Sequence, residues 1–175
     1  DRFCGGGITS VNMAAASVMS GMEDLVVAGG VEMMSYQKEQ GLLGPLDGWN
    51  LHLREKFPQI NVGIAADIIA TEEGYSRQAL DAFAAESQRR AGVALQEGRF
   101  NKSLVPVYKD DGSLALANEE FPRPSTTAEK LAELAPGCAQ FMDMPYSDAG
   151  LTYRQIVQKR CPSFQIKHVH HAGNA

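Results

Sequence analysis

The sequence predicts an α/β fold, and the first 35 residues carry the main indication. Residues 7–21 are mostly small, with apolar side chains spread around the helix, a pattern typical of a buried helix. Residues 24–30 then read DLVVAGG, a continuous apolar run with a glycine stop that is typical of a buried strand. A helix followed by a buried strand is half of an α/β layer, so we expect the other strands of that layer to lie upstream.

The rest of the chain predicts an α-rich region. Residues 36–53 show no sustained period and are expected to form a loop with short helical turns. Residues 62–73 place isoleucines on one face of a helix that ends at Gly74, a typical residue after a helix C-terminus. Ser76 is the predicted N-cap of the next helix, which runs to about residue 97.

Shorter elements follow these helices. The stretch SLVPVY predicts a strand, and KDDGS predicts a turn that folds it back on a second strand. Thr126 and Glu129 have the spacing of a capping box that opens a short helix, and Ser147 is the predicted cap of one more. We therefore divide the chain into residues 1–35, the end of a layered domain, and residues 36–175, an α-rich region.

Composition and charge exclude several classes of function. The 175 residues are 44% hydrophobic, and no apolar run approaches the roughly 18 residues that a membrane-spanning helix needs. Nothing in the sequence resembles a signal peptide. The net charge is −5, and the scattered lysines and arginines form no basic patch for nucleic acid. We expect a soluble, cytoplasmic globular protein, for which adenine-nucleotide ligands stay open.

Cysteine and histidine spacing argues against a metal site. The cysteines are Cys4, Cys138 and Cys161, which cannot all pair and show no CxxC spacing. The clustered histidines are His168, His170 and His171, but alternate residues of a strand face opposite ways, so the three side chains should not converge. We expect no metal, and we expect the two later cysteines to be packing residues.

Cys4 is the candidate nucleophile, because it lies just ahead of three glycines and a predicted helix. A thiol there lies near the unpaired N–H groups and the positive end of the helix dipole, which favour the thiolate. The glycines let a ligand approach closely and leave main-chain N–H groups for an oxyanion. They match neither GxGxxG nor a P-loop. From the residues alone, a nucleophile and a buried structural cysteine both remain open.

Five stretches resemble the thiolase family, the acetyl-CoA acetyltransferases and 3-ketoacyl-CoA thiolases. DRFCGGGITSVNMAAASVMSGMEDLVVAGGVEMMSY is similar to the stretch that carries the family's acyl-accepting cysteine. NVGIAADIIA and YSRQALDAFAAESQRRAGVALQEGRF resemble helices of its loop domain, and FPRPSTTAEKLAEL resembles its R-x-x-T-T-x-E-x-L segment. HVHHAGNA is similar to the start of its A-G-N-x-S motif. The resemblance, loosest over residues 143–167, implies a partial thiolase-like layered fold with an α-rich lid.

The resemblance also implies a reaction and site residues. The reaction is acyl-CoA + acetyl-CoA = CoA + 3-oxoacyl-CoA, with Cys4 as the residue that is acylated. Arg123 is implied at the adenine-ribose end of CoA, and Asn61 and Val62 stand where the family often has a His and a Met that line the acyl pocket. CoA and acyl-CoA are implied as substrates, without a permanently bound cofactor, and the protein is expected to be a homodimer or homotetramer.

The sequence also departs from the family pattern. Gly6 stands where the family usually has a serine, the Gly-His-Pro and Asn-Glu-Ala-Phe motifs do not occur in the 175 residues, and no second cysteine after Cys4 has the Cys-x-Gly-Gly spacing. We therefore expect an internal piece of a thiolase that has the nucleophile without its base and is inactive alone. Two alternatives stay open: a ketoacyl-synthase-like condensing enzyme of the same fold, and a non-catalytic homologue that binds CoA or lipid.

Overall fold

The computed structural model describes residues 2–40, 50–146 and 150–174, which group by contacts into two units, Asp1–Trp49 and Asn50–Ala175. The predictions made for residues 41–49 and for Ser147 lie outside the described residues. The elements of the first unit are a 3-10 turn (Phe3–Gly5), α1 (Gly6–Met19) and α2 (Met34–Glu39). Those of the second are α3 (Leu51–Lys56), α4 (Val62–Glu72), α5 (Arg77–Gln96), β1 (Val107–Tyr108), β2 (Leu114–Leu116), α6 (Ala128–Ala132), a 3-10 turn (Ala139–Phe141) and α7 (Tyr153–Arg160).

The first helix forms as predicted, but its apolar side chains are not buried. Helix α1 contains no buried residue; Ile8 is 73% exposed and Met13 67% exposed. The helix ends at Ser20, and Gly21 follows with a φ of 72°, the left-handed conformation that favours glycine. The prediction of a buried helix is therefore correct in its secondary structure and wrong in its burial.

The predicted buried strand at residues 24–30 is also not present. The structure assigns no strand there, and Leu25 and Val27 are 84% and 93% exposed. A strand requires a neighbour to bond its N–H and C=O groups, and among the described residues the sheet consists of β1 and β2 alone. The apolar run has the right composition for a strand but no partner strand to pair with.

The long helices of the second unit begin and end where the sequence predicts. The Asn61 side chain accepts a hydrogen bond from Gly63 N at 2.8 Å and caps α4. That helix ends before Gly74, which has a φ of 74°. The Ser76 hydroxyl accepts a hydrogen bond from Ala79 N at 3.1 Å and starts α5. These caps satisfy N–H groups that have no partner inside the helices.

The shorter elements differ from the predictions in one detail. Strands β1 and β2 form the predicted antiparallel hairpin, with Gly112 in its turn at a φ of 79°. The cap of α6 is Thr127, one residue beyond the predicted Thr126, and it accepts a hydrogen bond from Lys130 N without a capping box. The capping box occurs instead at Thr152 and Gln155, where α7 begins.

The hydrophobic core of the second unit lies where α4, the 139–141 turn and α7 meet. Its buried members are Ile64, Cys138, Met142 and Val157. Five partly buried residues pack against them: Ile60, Ile68, Phe141, Tyr153 and Ile166. Beside this core Arg54, 6% exposed, donates a hydrogen bond to the main-chain oxygen of Tyr146 at 2.8 Å. The core fixes the start of α4 and the segment around Cys138 next to each other.

Candidate functional site

Cys4 lies on the 3-10 turn that leads into α1, and its side chain is exposed. Gly5 N donates a hydrogen bond to the main-chain oxygen of Arg2 at 2.8 Å, which closes the turn. The Thr9 hydroxyl donates to the Gly5 oxygen at 3.0 Å and accepts from Arg2 Nε at 3.1 Å. Hydrogen bonds on both sides of Cys4 therefore hold the turn that presents its thiol.

The space beside Cys4 is open. A Cβ atom added to Gly5, Gly6 or Gly7 would meet nothing within 4 Å. Gly6 has helical backbone angles, with φ at −59° and ψ at −42°, so a residue with a side chain would also fit there. The Cys4 thiol is therefore exposed in this structure and not buried, and its role as a nucleophile stays a prediction.

Asn61 and Val62 lie at the start of α4 and line an apolar groove of the second unit. The groove has a volume of about 670 Å³, within the range of roughly 300–1,000 Å³ that is usual for small-molecule sites. Its apolar wall includes Val62, Ile69, Tyr75, Leu80 and Phe141. Polar groups that reach it include Asn61, Cys138 and His170. The structure thus brings two of the predicted site residues together.

Arg123 does not line this groove; it is exposed on the segment before α6. Its main-chain N–H donates to the Gln88 side-chain oxygen at 2.6 Å. The next residue, Pro124, packs so closely against α5 that a Cβ on Gly92 would lie 2.8 Å from the Pro124 Cβ. Contacts with α5 therefore hold the backbone on both sides of the Arg123 side chain.

Asp67 is a fully buried carboxylate that fixes residues 168–170. His168 Nδ1 lies 2.7 Å from its Oδ2, and His170 Nδ1 lies 2.7 Å from its Oδ1. The main-chain N–H of Val169 donates to Oδ1 at 2.9 Å. An ionised carboxylate only accepts hydrogen bonds, so both imidazoles donate their Nδ1–H to it. Burial alone raises the pKa of Asp67, but the hydrogen bonds, that of His170 foremost, lower it overall.

Asp81 is a second buried carboxylate, and it fixes His171 and Asn174. It is 1% exposed, and its Oδ1 accepts hydrogen bonds from His171 Nε2 at 3.0 Å and Asn174 Nδ2 at 2.7 Å. Arg77 Nε donates to its Oδ2 at 2.8 Å. Burial alone raises the pKa of Asp81, and the hydrogen bonds from Asn174, His171 and Arg77 lower it overall. Asp67 of α4 and Asp81 of α5 together hold residues 168–174 in place.

The sequence analysis did not predict this network. The three histidines were considered only as metal ligands, which their spacing argues against, and neither Asp67 nor Asp81 was singled out. Among the described residues, no group of three or more His, Cys, Asp or Glu side chains has a geometry that could hold a metal ion. The missed signal was a carboxylate on the otherwise apolar face of each helix, which needs a buried hydrogen-bond donor.

In the part of the chain that the structure describes, no helix has the length and hydropathy to cross a membrane.

Cys138, the buried thiol in the groove, has a different environment from Cys4. Burial first, and then the negative charge of Asp67, raise the pKa of the Cys138 thiol. Its Sγ lies 3.7 Å from Asn61 Oδ1.

Comparison with known proteins now adds to these observations. The model of the thiolase N-terminal domain matches residues 1–140. The chain is 36% identical over 151 residues to the acetyl-CoA acetyltransferase of Thiocystis violacea, which covers 78% of this chain and 38% of that protein. It is 35% identical over 149 residues to the 3-ketoacyl-CoA thiolase of Bacillus subtilis, covering 78% of this chain and 37% of that one.

A solved structure gives the same result. The dimeric peroxisomal thiolase of Saccharomyces cerevisiae superposes with a TM-score of 0.60 at 29% identity, over 77% of this chain and 35% of that one. The chain thus spans less than two fifths of the length of these relatives. The expected partial thiolase-like α/β fold is confirmed. The chain belongs to the thiolase family.

Proposed function

We propose that the full-length protein is an acetyl-CoA C-acyltransferase that catalyses acyl-CoA + acetyl-CoA = CoA + 3-oxoacyl-CoA through an acyl group on Cys4. The observation that carries the proposal is the exposed Cys4 thiol on a hydrogen-bonded turn at the start of α1, beside three glycines that obstruct nothing. Family membership supplies the class of reaction. A metal takes no part in the proposed steps.

In the degradative direction, the Cys4 sulfur attacks the 3-oxo carbon of 3-oxoacyl-CoA. The bond between the 2- and 3-carbons breaks, and its electron pair takes a proton to give acetyl-CoA. CoA thiolate then attacks the acyl-Cys4 thioester and releases acyl-CoA and the cysteine. The N–H groups at the start of α1 have no partners inside the helix and would stabilise the oxyanion of each tetrahedral step.

CoA binding is proposed for the second unit. Arg123 would contact the adenine-ribose end of CoA, since its guanidinium is exposed while its backbone is held against α5 by Gln88 and Gly92. Asn61 and Val62 would line the acyl pocket, because they border the apolar groove. An Arg123→Gln variant should raise the KM for CoA more than it lowers kcat, and Arg123→Lys should restore part of the affinity.

The remaining parts of the proposal concern the whole protein. The base that activates Cys4 and the acid that protonates acetyl-CoA would come from sequence outside the 175 residues, so the chain alone should not turn over. We propose a cytoplasmic homodimer or homotetramer. Gel filtration of the full-length protein tests the assembly, and an assay of the purified 175 residues tests the inactivity.

The acylation test uses the full-length protein, hexanoyl-CoA without an acceptor, and peptide mapping. Trypsin separates the cysteines, because cleavage at lysine and arginine places them in residues 3–38, 131–154 and 161–167. We expect a hexanoyl group on the 3–38 peptide, lost in Cys4→Ala. An active enzyme that shows no acyl group on this peptide, or an acylated 3–38 peptide in the Cys4→Ala variant, would contradict the proposal.

A further inference from the structure

Cys138 has the surroundings of a reactive thiol. It precedes the 139–141 turn, is 8% exposed, and borders the apolar groove. Burial and the nearby charge of Asp67 raise its pKa, so the side chain is a neutral thiol at neutral pH. A thiol of this kind becomes a nucleophile only where a base can take its proton as it attacks.

His170 is placed to be that base. Its Nδ1–H donates to Asp67, which fixes the tautomer and leaves the lone pair on Nε2. The residue is 8% exposed, and among the described residues Nε2 has no hydrogen-bond partner. A buried imidazole with one nitrogen anchored on a carboxylate and the other free is the arrangement that activates cysteine nucleophiles.

Gly63 shows that the thiol and the free nitrogen lie close to the same point. A Cβ atom on Gly63 would lie 2.3 Å from Cys138 Sγ and 2.6 Å from His170 Nε2. Both atoms therefore border the space that the absent side chain leaves. The two do not form a hydrogen bond in this structure, and a separation of this kind commonly closes when a substrate is bound.

Asn61 completes the cluster. Its Oδ1 accepts hydrogen bonds from Gly63 N at 2.8 Å and from the Cys138 thiol, whose Sγ lies 3.7 Å away. The bond to Gly63 fixes the amide plane, and the Nδ2 group has no hydrogen-bond partner among the described residues. The Nδ2 group belongs to the amide whose oxygen contacts the sulfur, so its N–H groups are donors within reach of an oxyanion formed at Cys138.

We propose that Cys138 is a second acyl-accepting thiol, which takes the acyl group from an apolar acyl thioester bound in the groove, with His170 as its base. Asp67 is a positioning residue that holds His170, and Asn61 Nδ2 binds the oxyanion. The ligand class follows from the groove, whose wall of Val62, Ile69, Leu80 and Phe141 suits a hydrocarbon chain. The inference goes beyond the proposed function and does not require chemistry at Cys4.

The step balances without any added reagent. His170 Nε2 takes the proton of the Cys138 thiol as Sγ attacks the thioester carbonyl carbon. The tetrahedral intermediate collapses, the bond from that carbon to the original sulfur breaks, and His170 returns its proton to the leaving thiolate. The products are an S-acylated Cys138 and a free thiol, so no electrons are transferred.

The test uses the full-length protein with Cys4→Ala and hexanoyl-N-acetylcysteamine, a thioester without the CoA nucleotide. We expect acylation of the 131–154 peptide, lost on adding Cys138→Ala. His170→Gln should slow it by about 100-fold, the usual contribution of a general base. His168→Gln is the matched control, because His168 also donates to Asp67, and it should leave the rate near that of the parent.

A comparison inside one protein covers the case in which His170→Gln does not fold. Cys161 is more exposed than Cys138, so unassisted thiols would acylate it faster. We expect Cys138 to react faster than Cys161 in the folded parent and not after denaturation. Equal or slower reaction of Cys138, or an unchanged rate in a folded His170→Gln variant, would overturn the inference. Since this probe lacks the nucleotide, failure here leaves the Cys4 acylation by hexanoyl-CoA as a separate result.

Discussion

The two units contrast in how they use apolar residues. In the first unit, α1 and the run at residues 24–30 have apolar side chains on most sides, yet Val27 is 93% exposed and α1 buries none of its residues. In the second unit, Ile64 is fully buried within a core that α4 and α7 share. Apolar composition therefore does not bury a segment by itself; a facing element must be present to cover it.

This contrast predicts that some substitutions change the activity and others change the free energy of unfolding. Cys4 is exposed on a local turn, so replacing it should remove no packing. Asp67 and Gly92 are enclosed by other residues of their unit, so replacing them should change the free energy of unfolding. A variant at the exposed Cys4 is therefore expected to change the reaction and not the stability, whereas variants at the enclosed Asp67 and Gly92 are expected to change the stability.

The largest expected effect is on activity at Cys4. In the full-length protein, Cys4→Ser should lower kcat for thiolysis on the order of 10⁴-fold or more, as the loss of a nucleophile does in other covalent enzymes. The midpoint of thermal unfolding should stay at the parent value, since the side chain is exposed. Steady-state thiolysis and calorimetry check the two parts. An active Cys4→Ser enzyme, or one that melts several degrees lower, would break the contrast.

The next effect is on stability at Asp67. Asp67→Asn keeps the volume but removes a carboxylate that accepts from two imidazoles and main-chain N–H groups. We expect a loss of about 3 kcal/mol in the free energy of unfolding, as for other broken buried charge networks. Urea unfolding measures it. Asp143→Asn is the control, because its ion pair with Arg154 is exposed and should contribute about 0–1 kcal/mol; equal losses would contradict the prediction.

Acid should weaken the second unit through Asp67 and Asp81. Both carboxyls have pKa values below the ordinary range because of their hydrogen bonds, although burial opposes the shift. Near and below pH about 4 the unfolded chain therefore binds more protons than the folded one. The stabilisation is complete above that pH and is lost as the pH falls through the folded-state pKa values. Urea midpoints from pH 6 to pH 3 should fall less steeply in Asp67→Asn; parallel curves would contradict this.

The smallest expected effect compares one substitution in both units. Gly92→Ala forces a methyl group against the Pro124 ring and should cost about 1–2 kcal/mol. Gly7→Ala adds a methyl group to α1 where nothing lies within 4 Å, and it should stabilise that helix by up to about 1 kcal/mol. Thermal unfolding of the two full-length variants should therefore shift in opposite directions. Shifts of the same sign would show that the first unit is packed there.

Local signals in the sequence were sufficient for much of the second unit. The ends of α4 and the start of α5 are set by Asn61, Gly74 and Ser76. The hydrogen bonds there join residues at most five positions apart, so the sequence alone indicates them. The exact cap of α6 was missed by one residue, because Thr126 and Thr127 are adjacent and both suit the position. The boundary at residue 35 between the two proposed domains stays a prediction.

What depends on distant residues could not be predicted. The hydrogen bonds that Asp67 and Asp81 accept from residues 168–174 join residues 90 to 103 positions apart. The prediction that the three histidine side chains do not converge is confirmed, since His168 and His170 reach one carboxylate while His171 reaches another, but the two carboxylates were not predicted. The strand at residues 24–30 failed for the related reason that pairing requires a neighbour. The roles of Cys4, Arg123, Asn61 and Val62 stay predictions.

Asp67 and Asp81, which hold residues 168–174, also set an order of assembly during synthesis. A ribosome adds residues one by one and finishes α4 and α5 long before it reaches residue 168. Asp67 and Asp81 therefore have no hydrogen-bond donors from residues 168–174 until those residues are made. Until then the two buried charges oppose closure of the core around Ile64. We therefore expect this unit to close only after its last residues leave the exit tunnel, and a stalled nascent chain that ends before residue 168 should remain sensitive to protease.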